Sequence, residues 1–196
     1  MELSDIIIFF LISASIWAIV FAVKKGTVWK YIAGAIFSTY LFCVASVTIF
    51  PIHFNSTMRK VFSESGWRIT DCIVLIPFHD GISKDDLLNV LMTIPFGFLL
   101  PFVKKRATWK TALIAGAVLG TTIELIQLVL AAAQGFSFRC VDVADVICNT
   151  VGTMIGWLIA AAFIRFVQKR KHSGSNEKSL YTYITQRVTI IRIERS

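Results

Sequence analysis

Residues 109–133 read WKTALIAGAVLGTTIELIQLVLAAA, an apolar run of about 25 residues with one carboxylate, Glu124, far from either end. About 20 apolar residues suffice to cross a bilayer as a helix, so this run is long enough to span one. At ~1.5 Å per residue, Glu124 lies roughly 22 Å along that helix from Trp109. An ionisable group at such depth is costly unless it faces protein or water, and by default it marks a functional site. Gln127 follows one helical turn later, and a second polar series, Arg139, Asp142, Asp145 and Asn149, opens the next apolar stretch.

Four more stretches have spanning length: Leu3–Val23, Val28–Phe50, Asp86–Val103 and Val143–Val167. The third span in chain order, Asp86–Val103, is short and carries Pro95 and Pro101, which predicts a kink. The chain of 196 residues is 56% hydrophobic and 16% charged, with a mean hydropathy of +0.70. That balance excludes an ordinary soluble domain. The fold class expected is all-α, a polytopic transmembrane helix bundle of about five spans.

Basic residues set its orientation. Lys24, Lys25 and Lys30 lie between the first two spans, Lys104, Lys105, Arg106 and Lys110 between the third and fourth, and Arg165, Lys169, Arg170 and Lys171 at the end of the fifth. The opposite loops are acidic or mixed in sign. This predicts the N-terminus outside and the C-terminus inside. Residues 1–50 are then two N-terminal spans, 51–85 an extracytoplasmic loop, 86–167 a core of three spans, and 168–196 a basic cytoplasmic tail read as a flexible extension. Within the tail, residues 187–194 alternate like a short strand.

The acidic N-terminus lacks the basic region of a cleavable signal peptide. The net charge of +8 reflects the cytoplasmic bias rather than nucleic-acid binding, since no basic stripe is interleaved with aromatics. Cys43 and Cys148 fall in spans, Cys72 and Cys140 in predicted outer loops. Whether the latter two pair cannot be read from spacing.

Helical spacing gathers the polar groups onto faces. Gly116, Gly120, Glu124 and Gln127 share one stripe of the fourth span. Asp145, Asn149, Gly152 and Gly156 share a stripe of the fifth, with Asp142 at its margin, and Asn89, Thr93 and Gly97 share one of the third. In each stripe the glycines lie toward the cytoplasm and the hydrogen-bonding groups toward the outside. Small residues let helices approach closely. The expectation is one outward-opening polar pocket among three neighbouring spans, with Asn89, Glu124, Gln127, Arg139, Asp142, Asp145 and Asn149 around it. A plainer account competes with it. Polar side chains also join membrane helices without any ligand, a Glu124–Arg139 ion pair would serve that purpose, and an aspartate at a helix start caps it.

The same residues carry a resemblance. Asn89-x-x-x-Thr93-x-Pro95-x-Gly97 resembles the Asn-x-x-x-Phe-x-Pro-x-Gly signature of the VanZ-like membrane family, with Thr93 where the family usually has Phe. Glu124-x-x-Gln127 is similar to the family's Glu-x-x-Gln. Arg139-x-x-Asp142-x-x-Asp145-x-x-x-Asn149-Thr150-x-Gly152 resembles its closing motif, and Leu75-Ile76-Pro77-Phe78 an upstream element. Order and spacing agree over about Leu75 to Val167; the two spans before Pro51 and the tail after His172 fall outside. The resemblance implies a bacterial plasma-membrane protein. The family's founding member is associated with low-level teicoplanin resistance without a change in the peptidoglycan precursor terminus. Relatives outside resistance clusters leave a housekeeping envelope role open.

Three functions compete. In the first, the pocket binds a polar or cationic group of a membrane lipid, a lipid-linked cell-wall precursor or a glycopeptide antibiotic, with Arg139 pairing a phosphate or carboxylate. In the second, an intramembrane enzyme acts on an isoprenoid-phosphate or lipid substrate, its carboxylates holding Mg²⁺ and Glu124 serving as a base. No nucleophile–base pair and no Cys/His zinc spacing is visible, since His53, His79 and His172 lie far apart, so neither a cofactor nor a zinc site is expected. In the third, Glu124 relays protons in a small transporter or flippase, although no internal repeat supports alternating access. A scaffold, and a homo-oligomer joined through the glycine faces, complete the set.

Overall fold

The computed structural model describes residues 11–12, 14–20, 27–49, 52, 55–79, 81–104, 107–138, 140–169, 180 and 183–184. In chain order these form α1 (Val28–Thr48), α2 (Ser56–Glu64), a 3-10 turn (Ile69–Cys72), β1 (Ile73–Val74), α3 (Lys84–Val103), α4 (Trp109–Gln134), β2 (Val141–Asp142) and α5 (Val143–Lys169). Helices α1, α3, α4 and α5 are long and apolar enough to cross a membrane. The expected first span, Leu3–Val23, falls largely outside the described residues. Its described parts, 11–12 and 14–20, are helical. There Trp17 stands 6.1 Å from the Tyr31 ring and donates its indole N–H to Ser38 Oγ at 3.1 Å.

Local chemistry fixes the helix ends. Asn55 caps α2 by accepting from the amides of Thr57 and Met58. Ser83 and Asp86 exchange side-chain and backbone hydrogen bonds in a capping box that starts α3. Thr108 accepts from the Thr111 amide to start α4. At its far end Gly135 adopts the left-handed conformation, φ 74°, and its N–H returns to Ala131 O at 2.9 Å.

The three core helices are neighbours through the last of them. α5 lies between α3 and α4, which touch each other far less, and α1 packs on α3. Glycines make this closeness possible. A Cβ at Gly97 would overlap the Thr153 carbonyl, one at Gly152 the Val90 carbonyl, and one at Gly156 the Ile94 carbonyl. On the other side, a Cβ at Gly116 would stand 2.9 Å from Thr150 Cα, and one at Gly120 3.0 Å from Val146 Cα. All five of these glycines are used inside the chain.

Pro95 and Pro101, expected to bend their span, lie inside one continuous helix. A proline strips a hydrogen bond from the preceding turn. Across from that turn, the Tyr40 hydroxyl of α1 donates to the Met92 carbonyl at 2.7 Å.

At the basic end, Leu100, Phe102, Trp157, Ala160, Ala161 and Ile164 form a buried cluster, and Trp157 Nε1 donates to Ala107 O at 2.7 Å. Tyr183 belongs to the same cluster and donates its hydroxyl to the Phe102 carbonyl. The tail is therefore not wholly a free extension: a tyrosine ring is too apolar to leave in water when a seat is available, and its hydroxyl finds a carbonyl freed at a helix end. The alternating stretch at 187–194 lies outside the described residues.

Candidate functional site

At the opposite end, a cavity of about 690 Å³ opens between α1, α3, α4, α5 and the loops that join them. Glu124 contributes from α4, only 4% exposed. Its Oε2 accepts the backbone N–H of Asp142 at 3.0 Å. Asp142 in turn accepts the Ala144 amide on Oδ1 at 2.7 Å, which starts α5. The capping account is thus correct for Asp142. Asp145, one turn further, does not cap. It lines the cavity and accepts a hydrogen bond from the Asn89 side chain of α3.

Gln127 also lines the cavity, where its Nε2 donates to the Thr48 carbonyl of α1 at 3.0 Å. It therefore ties two helices together as well as facing the recess. Asn149 lies one turn below Asp145 with 1% exposure, packed between helices rather than on the cavity wall, and neither of its amide atoms has a hydrogen-bond partner among the described residues. Arg139 lies outside the described residues, between Phe138 and Cys140, which both line the cavity.

Two acidic residues not picked out from the sequence join the wall, Asp85 and Asp86. Asp86 is 6% exposed, with one oxygen in the capping box and the other facing the Cys148 thiol at 3.9 Å. The Ser83-x-x-Asp86 spacing marks a capping box, and nothing in that spacing by itself points to a cavity. Five carboxylates therefore surround the cavity, and its described lining contains no lysine or arginine. Among the described residues, no three His, Cys, Asp or Glu side chains are grouped so as to hold a metal ion.

Loops form the rim. Phe78 lines the cavity in the left-handed region, φ 57°, a conformation that a bulky side chain adopts only when its surroundings force it. Val74 and Asp142 face each other across the parallel β1–β2 pair, so the loop after α2 and the loop before α5 are zipped together here. Phe62 of α2 strengthens the join, with its ring 5.6 Å from both Phe136 and Phe138.

The sequence profile of the VanZ/LLP1 family matches residues 37–165. The chain belongs to that family. The VanZ/LLP1 region thus begins within α1, well upstream of the Leu75 at which the motifs start, and α1 carries the Thr48 carbonyl that Gln127 bonds. The chain is similar to Protein VanZ of Enterococcus faecium, 26% identical over 127 residues, which cover 65% of this chain and 72% of that protein. No solved structure matches the chain. Thr93, standing where the VanZ motif usually has Phe, is fully buried against Gly152.

Proposed function

We propose that this VanZ/LLP1 protein acts in the bacterial plasma membrane by holding the cationic or hydrogen-bonding group of an envelope ligand in its outward cavity. The ligand is a lipid headgroup, a lipid-linked cell-wall precursor or a glycopeptide antibiotic, and the consequence is teicoplanin-type resistance or envelope homeostasis. The observation that carries this reading is the company Glu124 keeps. It shares one cavity with Asp85, Asp86, Asp142 and Asp145, and the described lining holds a histidine, His79, but no lysine or arginine. Carboxylates that crowd one wall repel one another, and a bound cation relieves that cost. An ammonium group also has hydrogen-bond donors for the acceptors that crowd the wall.

Susceptibility to teicoplanin and to vancomycin, measured on cells expressing wild type, Glu124→Gln and Asp145→Asn at equal protein levels, tests the proposal. Wild type should raise tolerance of teicoplanin. Each variant should lose most of that gain, since removing one charge-assisted contact weakens binding by about 1.5–3 kcal/mol, roughly 10- to 150-fold. Unchanged tolerance in both variants refutes it.

A further inference from the structure

Strands β1 and β2 run parallel, with Ile73 opposite Val141 and Val74 opposite Asp142. Immediately before each strand stands a cysteine, Cys72 at the end of the 3-10 turn before β1 and Cys140 before β2, so the two flank the Ile73–Val141 pair. Adjacent strands lie ~4.8 Å apart, within the ~4.4–6.8 Å separation of Cα atoms that a disulfide takes. The chain has four cysteines, and two of them meet at this join. Both belong to the outer loops, opposite the basic loops, where thiols encounter oxidising conditions.

We propose that Cys72 and Cys140 form an intramolecular disulfide that staples the loop after α2 to the loop before α5 across the rim of the cavity. The inference concerns the strand pair and does not depend on which ligand the cavity takes. Both thiols are free in this structure. Cys140 is exposed and Cys72 buried, which orders the chemistry.

The Cys140 thiolate attacks a disulfide-bearing oxidant, protein or small molecule. The oxidant's S–S bond breaks, one of its sulfurs leaves as a thiol, and a mixed disulfide forms on Cys140. Cys72 then attacks the Cys140 sulfur, and the second sulfur of the oxidant leaves as a thiol. The two cysteines lose two electrons and two protons, and the oxidant gains both pairs. Burial, and then the nearby Cys140 sulfur, raise the Cys72 thiol above its ordinary pKa, so little of it is thiolate. It is a poor attacker of external oxidants, but as the second, intramolecular partner it benefits from proximity.

The test uses the full chain in membranes. Free thiols are blocked with N-ethylmaleimide in denaturant, the sample is reduced, and newly exposed thiols are tagged with a polyethylene-glycol maleimide. Cys43 and Cys148, if free, are blocked before reduction. Membranes incubated with oxidised glutathione should give a monomer that gains two tags, whereas Cys140→Ser should gain none and Cys72→Ser at most one, from glutathione left on the exposed Cys140. Absence of tags in oxidised wild type overturns the proposal. So do two tags in either serine variant, and so does a covalent dimer in place of the tagged monomer.

Discussion

Glu124 has two properties that a substitution can separate, its charge and its accepted hydrogen bond. The bond from the Asp142 amide helps to position the start of α5. Glutamine can still accept that bond while giving up the charge, whereas alanine takes away the acceptor of a half-buried backbone N–H at the cavity wall. Glu124→Ala should therefore lower the melting temperature of the purified protein, for a cost of about 1–3 kcal/mol, while Glu124→Gln stays near wild type. Equal losses in both variants would mean that the charge, rather than the bond, holds the α4–α5 turn. The depth of Glu124 in an apolar run was plain in the sequence, as was the stripe it shares with Gln127. The role of Asp86 was not, because a residue that completes a capping box already has a satisfactory local explanation. Nor could the sequence reveal that Asn149 lies beneath the cavity wall, since helical phase places a residue on a face without fixing how deeply the neighbouring helix covers it.

Among the helices, α5 is the one the others depend on, because it meets α3 and α4 through glycines on two sides. At Gly152 an added methyl group would meet a backbone carbonyl and a threonine hydroxyl of α3, neither of which can easily move aside. At Gly120 the nearest atoms would be 3.0 Å and 3.2 Å away, so shifts of a few tenths of an ångström suffice. Gly152→Ala should destabilise the bundle by about 1–3 kcal/mol, as overpacking does, and Gly120→Ala by clearly less. Thermal unfolding in detergent would reveal the order, and the reverse order would contradict the packing described. The ends of these helices were readable to within a few residues because caps and apolar runs coincide; α4 extends one residue past its expected end, to Gln134, before Gly135 stops it. The β1–β2 pair was not readable, since two residues per strand are too few to show alternation.

Across the whole molecule, the basic end is closed by a dry aromatic and aliphatic cluster and the other end is hollow. Tyr183 brings a residue from beyond the last span back into the closed end. Tyr183→Phe should cost little, because the ring remains buried, whereas Tyr183→Ala should destabilise by about 3 kcal/mol through the lost ring packing. Chemical unfolding of the reconstituted chain measures both, and an unaltered Tyr183→Ala variant would show that the tail contributes nothing to the bundle. Composition gave no hint of this contact, because an aromatic in a polar stretch matches no periodic pattern. The glycine contacts on both flanks of α5 also bear on how the protein can work. With carbonyls of one helix seated in the notches of the next, any tilting of these rods against each other would first have to prise main chains apart. The recess then behaves as a rigid cup, and the ligand proposed for it would have to enter and leave over its lip.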